Sequence, residues 1–100
     1  MGVGLNPLAL HKRLCKVDRE MRADKLKSKL RKGNVTNWSF ADACLVARHC
    51  GWELSRVSGS HHIFTHSRGD VPSLNLQEKQ GQAKPYQVRQ LKDAIETYEL

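Results

Sequence analysis

Apolar residues recur at helical or strand spacing along most of the chain, and their order predicts one small α+β domain. Near the N-terminus, Asn6-Pro7 offers a helix start because proline is tolerated at the first helical position, and apolar residues then recur at helical spacing. Asp24 can cap a second short helix, which Gly33 would end. We therefore predict a helical segment over residues 1–33.

From residue 36 onward the pattern alternates between helix and strand signals. Ser39 and Asp42 have capping-box spacing, and an apolar stripe follows that Gly51 ends, so a helix is predicted to about Cys50. Three segments of alternating or short apolar pattern then follow, separated by turns, before Pro85 opens a last helix. The pattern predicts helix, three antiparallel strands and helix, with both helices on one sheet face. The predicted strands cover residues 52–55, 61–66 and 74–76, and residues 77–84 form a loop.

The length and composition limit the function classes. A chain of 100 residues with 39% hydrophobic and 27% charged residues fits one folded domain and excludes a multi-domain enzyme. No apolar run approaches the roughly 18 residues that span a bilayer, and no secretory signal is visible, so we expect a cytoplasmic protein without a membrane partner. Three cysteines without Cys-x-x-Cys spacing indicate neither a disulfide framework nor a zinc site.

The positive charge is concentrated in the N-terminal third. The net charge is +7, and residues 1–33 hold ten Lys and Arg against three acids, whereas the remaining residues hold seven of each sign. We therefore divide the chain into a basic helical extension, residues 1–33, and a nearly neutral domain, residues 34–100. The extension could bind RNA, bind a protein partner, or be a solvated helix docked by one apolar stripe.

The run Gly59-Ser60-His61-His62 leads from a turn into a strand and is the strongest candidate for chemistry. A histidine has an ordinary pKa near 6.5, so it can exchange protons with the 2′-hydroxyl of RNA at neutral pH without a metal ion. Adjacent strand residues point to opposite faces, which disfavours joint metal chelation. A packed structural histidine is the alternative. The alternation leaves open whether Ile63 or Phe64 faces the core, and hence which histidine is exposed.

Cations near the last helix could contact phosphates. Lys84 precedes this helix, and Arg89 and Lys92 lie on it, close to its positive N-terminus. A solvated helix face is the alternative, because three acidic residues share the helix. Among the aromatic residues, Trp52 is expected in the core, whereas Tyr86 could stack on bases or pack.

Two stretches together resemble the HicA family of bacterial toxins. They are the run from Gly59 to Phe64, Gly-Ser-His-His-Ile-Phe, and the block from Ala83 to Arg89, Ala-Lys-Pro-Tyr-Gln-Val-Arg. The resemblance covers about residues 24–100. It implies an α-β-β-β-α fold similar to double-stranded-RNA-binding domains, cleavage of mRNA without a metal, and neutralisation by a HicB-type antitoxin. The family's catalytic histidine, at the fourth position of Gly-Ser-x-His, then corresponds to His62.

The expected function is therefore that of a toxin that acts as a metal-independent endoribonuclease on mRNA. His62 is expected to act as general acid or base, and no cofactor is expected. Two alternatives stay open: an RNA-binding module without catalysis, and a domain whose activity has decayed and that binds only its antitoxin. The residues expected to contact RNA are Gly59, Ser60, His61, Lys84 and Arg89.

Overall fold

The computed structural model describes the backbone of residues 7–100 and the side chains of residues 18–100. This part of the chain forms three helices and a four-stranded antiparallel sheet, which confirms the predicted α+β plan. Within it, no helix is both long enough and apolar enough to cross a bilayer. The elements are α1 (Pro7–Arg31), α2 (Phe40–His49), β1 (Trp52–Ser58), β2 (His61–His66), β3 (Leu74–Lys79), β4 (Gln82–Ala83) and α3 (Pro85–Thr97).

The N-terminal segment is one continuous helix, so the prediction of two helices separated near Asp24 was wrong. Ala23 and Leu30 are buried and Leu26 packs against the core, and this spacing keeps all three on one side of an uninterrupted helix. The predicted end is confirmed, because Gly33 adopts a φ of 97° and its N–H bonds to the Leu30 carbonyl. The predicted start at Asn6 lies outside the described residues.

Two polar contacts fasten α1 to α2. The Arg22 guanidinium lies 2.8 Å from an Asp42 carboxylate oxygen, and His49 Nε2 lies 2.9 Å from an Asp24 oxygen. Because Leu30 also belongs to the main hydrophobic cluster, the C-terminal half of α1 is packed on the rest of the fold. The division at residue 33 stays a prediction.

The predicted ends of α2 and the start of α3 are confirmed by their capping geometry. The Ser39 hydroxyl accepts a hydrogen bond from the Asp42 N–H at 3.1 Å, as a helix N-cap does. Gly51 follows α2 with a φ of 105°, and Pro85 occupies the first turn of α3. These signals are local, which is why the sequence pattern locates them well.

The sheet has the order β1-β2-β3-β4 and gains a strand that the sequence pattern did not predict. Residues 77–84 were expected to form a loop, but β3 continues to Lys79 and β4 pairs back on it through Glu78 and Ala83. The connecting residues Gln80 and Gly81 have φ values of 52° and 79°, as a tight hairpin turn requires. A polar hairpin of this kind carries no hydrophobic alternation, so periodicity could not find it.

One face of the sheet carries the core, and the other face contributes no residue to the described hydrophobic cluster. Trp52, Phe64, Leu74 and Leu76 are buried in one cluster with apolar residues of all three helices, which confirms the core position of Trp52. We call the opposite face the open face. Its residues are exposed or half-buried and comprise Glu53, Arg56, Ser58, His61, Ile63, Thr65, Asn75 and Gln77.

Candidate active site on the open face of the sheet

The register of β2 places the two adjacent histidines on opposite faces. Phe64 is fully buried, so His62, two residues before it, lies on the helix-covered face, and His61 lies on the open face. This answers the question that the alternation left open. His61 is exposed, whereas His62 is half-buried.

His62 makes one packing contact and one hydrogen bond. Its ring lies 4.6 Å from the Phe40 ring, centroid to centroid, at the start of α2. Its Nδ1 atom lies 3.1 Å from the Ser60 carbonyl oxygen, and because a carbonyl only accepts, Nδ1 carries the proton. His62 is therefore held partly by packing, and Nε2 is the ring nitrogen that this hydrogen bond does not use.

His61 lies between two side-chain amides of β3. Its Nδ1 is 3.1 Å from Asn75 Nδ2, and its Nε2 is 3.1 Å from Gln77 Nε2. The pairing of His61 with Gln77 across β2 and β3 brings these side chains together on the open face. Both ring nitrogens are thus held in place while the side chain stays exposed to solvent.

The first turn of α3 supports Gln77 from behind. Gln87 is 2% exposed, and its Oε1 accepts from the Gln77 backbone N–H at 2.7 Å while its Nε2 donates to Gln77 Oε1 at 2.8 Å. The exposed Tyr86 hydroxyl also donates to Gln77 Oε1, at 3.2 Å. A buried glutamine with both ends bonded to one neighbour fixes the orientation of that neighbour's amide.

The turn before His61 has the geometry that its glycine predicts. Gly59 has a φ of 59°, and Ser58 pairs with His61, so Gly59 and Ser60 form a two-residue hairpin turn. The Ser60 carbonyl accepts hydrogen bonds from His62 and from the Glu78 N–H, and residues 59 and 60 are exposed. The turn therefore lies exposed, directly before His61 at the start of β2.

The predicted cations lie at the start of α3 and along it. Lys84 is the N-cap residue of α3, is half-buried and makes no side-chain capping bond, and Arg89 is exposed on the same helix. Among the described residues, neither forms an ion pair, whereas Lys92 pairs with Glu96 at 3.0 Å. No hydrogen bond joins Lys84 or Arg89 to His61 or His62 in the described part of the chain.

A cation that the sequence reasoning did not assign to the site lies on the open face. A β-bulge between Leu54 and Arg56 shifts the register by one residue, so Arg56 pairs with Ile63 on the open face. Without the bulge, Arg56 would share the face of Trp52. Asn75, Gln77 and Gln87 were also missed, because strand pairing and a contact from α3 bring them to His61 and no sequence spacing indicates either.

Two other side chains that could act as an acid–base group or a nucleophile, His66 and Cys44, are held in structural contacts or buried. His66 Nε2 lies 2.7 Å from the Cys50 carbonyl, and its Nδ1 accepts from the Arg68 N–H, so both nitrogens are engaged. Burial raises the pKa of the Cys44 thiol to about 11, which keeps it protonated and a poor nucleophile. Among the described residues, no three His, Cys, Asp or Glu side chains lie together as metal ligands would.

The comparison with known families decides the assignment. A family model described as the HicA toxin of bacterial toxin-antitoxin matches residues 40–96, which is more than half of the chain. The chain belongs to the HicA toxin family. No curated protein and no solved structure matches it.

The HicA match covers α2, the whole sheet and almost all of α3, and thus every residue of the His61 cluster. It begins after α1, so the basic helix lies outside it. Membership identifies the chain as the toxin component of a toxin-antitoxin pair and implies an antitoxin as its partner.

Proposed function

We propose that this HicA-family toxin is an endoribonuclease that cleaves mRNA by acid–base catalysis at a histidine, without a metal ion. RNA supplies its own nucleophile, the 2′-hydroxyl, so a small domain needs only a proton acceptor and a few cations near the scissile phosphate. The described residues offer two adjacent histidines in β2, and the family membership supplies the toxin context.

The geometry favours His61 as the proton acceptor, and the exposure of His61 to solvent is the observation that carries the proposal. His61 is exposed on the open face and is oriented by amides on both ring nitrogens. His62, to which the resemblance assigns catalysis, is half-buried against Phe40 on the helix-covered face. A substrate as large as RNA reaches the open face without displacing a helix, so His62 becomes the rival assignment.

The proposed reaction moves a proton from the 2′-hydroxyl, moves another to the leaving oxygen, and exchanges one bond at phosphorus. His61 takes the proton of the 2′-hydroxyl, O2′ forms a bond to phosphorus, and the bond from phosphorus to O5′ breaks. The leaving O5′ takes a proton from water, and the hydroxide that results takes the proton from His61, which restores the neutral ring. The products are a 2′,3′-cyclic phosphate and a 5′-hydroxyl end, and in this proposal Arg56, Lys84 and Arg89 balance phosphate charge.

Matched variants of the two histidines test this proposal. His61→Ala should lower the cleavage rate of a purified mRNA by about 10²- to 10⁴-fold, the usual loss for a general acid or base. His62→Ala should cleave at a rate close to that of the unmodified protein once the folded fraction is matched by circular dichroism. The opposite ranking would establish His62 as the catalyst.

The products and the binding give independent readouts. Cleaved ends should be 2′,3′-cyclic or 3′-phosphate, and a 5′-phosphate with a 3′-hydroxyl would reject the 2′-hydroxyl mechanism. If the unmodified protein binds RNA without cutting it, the chain is an RNA-binding module. If it binds only a HicB-type antitoxin, which we propose as its partner, its activity has decayed.

A further inference from the structure

We propose that Gln77 is a positioning residue that holds the proton of neutral His61 on Nδ1 and leaves Nε2 as the proton acceptor, with Gln87 fixing the Gln77 amide. The importance of this tautomer for catalysis rests on the function proposed above. The tautomer itself is determined by one backbone N–H and by the direction in which each subsequent group must donate.

The chain of donors starts at the Gln77 backbone. A backbone N–H can only donate, and it lies 2.7 Å from one end of the Gln87 amide, which must therefore be the oxygen. Gln87 is 2% exposed, so water does not compete for this contact. The other end of the Gln87 amide is consequently the NH₂ group, and its position is not interchangeable with that of the oxygen.

The orientation of Gln87 determines the orientation of Gln77. Gln87 Nε2 donates to the Gln77 amide at 2.8 Å, so the contacted atom is Gln77 Oε1. The Tyr86 hydroxyl donates to the same oxygen at 3.2 Å. With Oε1 engaged by two donors, the Gln77 NH₂ group is directed at His61 Nε2, at 3.1 Å.

A neutral imidazole has one donor and one acceptor nitrogen, so the Gln77 contact assigns both. Nε2 receives a hydrogen bond and must be unprotonated, which places the ring proton on Nδ1. Nδ1 lies 3.1 Å from Asn75 Nδ2, whereas Asn75 Oδ1 is buried without a partner in the described residues. Turning the Asn75 amide by 180° gives Nδ1–H an acceptor, and either orientation leaves one Asn75 atom unpaired.

This tautomer suits a general base. The lone pair of Nε2 is available when a substrate hydroxyl takes the place of the Gln77 N–H, and the proton passes to Nε2. With the Asn75 amide turned, its Oδ1 accepts from Nδ1–H on the other side of the ring and stabilises the charged ring that forms. A carboxylate at position 77 would reverse the arrangement, because it accepts and therefore holds a proton on Nε2.

Nitrogen-15 NMR of the imidazole rings in the full chain measures which nitrogen carries the proton. In the unmodified protein, at a pH about two units above the ordinary histidine pKa of about 6.5, His61 should be protonated on Nδ1. Gln77→Glu should move the proton to Nε2. Gln90→Glu, which makes the same charge change at an exposed position of α3, should leave the tautomer unchanged.

A second variant tests the part that Gln87 plays. Gln87→Met keeps the side-chain length but removes both amide contacts, so the Gln77 amide is free to turn and His61 should become a mixture of tautomers. Should this buried substitution prevent folding, the comparison of the unmodified protein with Gln77→Glu still decides the matter.

The inference is overturned if unmodified His61 carries its proton on Nε2 or if Gln77→Glu leaves the proton on Nδ1. Because the tautomer is read without any RNA, its failure is separate from failure of the proposed function. If the tautomer is as expected but His61→Ala still cleaves RNA at full rate, the arrangement is real and the catalytic assignment is wrong.

Discussion

The imidazole ring of His62 packs on the phenyl ring of Phe40, with 4.6 Å between centroids and 59° between the ring planes. Tilted aromatic pairs contribute about 0.5–1.5 kcal/mol beyond the area that they bury. His62→Ala should therefore lower the free energy of unfolding by about 1 kcal/mol, whereas His62→Phe should retain most of the stability. Urea denaturation of the two variants measures this difference. Equal stability of both would show that the ring contact contributes nothing.

A side chain at Gly51 has no room, because a Cβ atom there would lie 2.5 Å from His66 Nε2. Gly51 and Gly33 both have φ values near 100°, where an L residue is strained, but a Cβ on Gly33 would meet nothing within 4 Å. Gly33→Ala should therefore cost about 1–2 kcal/mol of unfolding free energy from backbone strain. Gly51→Ala should cost clearly more.

The difference between these two variants isolates the contact with His66. Gly69→Ala serves as the reference, since Gly69 has neither a positive φ nor an atom within 4 Å of its Cβ position, and it should be nearly neutral. Thermal melting curves of the three variants give the ranking. A Gly51→Ala variant as stable as Gly33→Ala would mean that the His66 ring moves aside without cost.

The Cys44 thiol should make the fold less stable at alkaline pH. Burial raises its pKa to about 11 in the folded protein, whereas an exposed thiol in the unfolded chain ionises near pH 8.5. The unfolded state therefore loses this proton first, and stability falls as the pH rises from about 8.5 through about 11. Below about pH 8.5 the contribution is fully present.

Melting temperatures measured across this pH range in the unmodified protein and in Cys44→Ala test the effect. Alanine cannot ionise, so the variant should show a shallower decline, whatever its stability at neutral pH. Burial also raises the pKa of Cys50. Both proteins contain Cys50, so the comparison still isolates Cys44. Parallel declines would show that Cys44 ionises equally in the folded and unfolded states.

Local signals in the sequence predicted the ends of helices, and tertiary contacts decided the rest of the fold. Ser39, Gly51 and Pro85 act through their own backbone geometry, so their positions could be predicted from the residues themselves. The continuity of α1 near Asp24 depends instead on the burial of Ala23 and Leu30 against other elements. The β4 strand depends on pairing with β3, which no periodic pattern reports.

The candidate site was only partly predictable for the same reason. The motif at residues 59–62 pointed to the correct turn and strand, but alternation alone gives two faces without saying which is covered. The burial of Phe64 decides that His61 faces outward. Arg56 reaches the open face through a β-bulge, and Gln87 reaches Gln77 from a different element, so neither could be assigned from spacing.

The unpaired cations of α3 should bind RNA, and the paired one should not. Lys84 and Arg89 have no ion-pair partner among the described residues, whereas Lys92 lies 3.0 Å from a Glu96 oxygen and is 21% exposed. Each phosphate contact contributes about 0.7 to the slope of log affinity against log salt for single strands. Lys84→Ala and Arg89→Ala should therefore each weaken binding and reduce that slope, while Lys92→Ala changes neither.

A single-stranded RNA with 2′-O-methyl groups is the suitable probe, because it cannot be cut by 2′-hydroxyl attack and binding is then measured alone. Lys84→Ala should leave the fold intact, since the side chain of Lys84 makes no capping bond at α3. Equal losses in all three variants would indicate that only the net charge of the protein matters. Unchanged affinity in Lys84→Ala and Arg89→Ala would place the RNA elsewhere, with Arg56 on the open face as the next cation to replace.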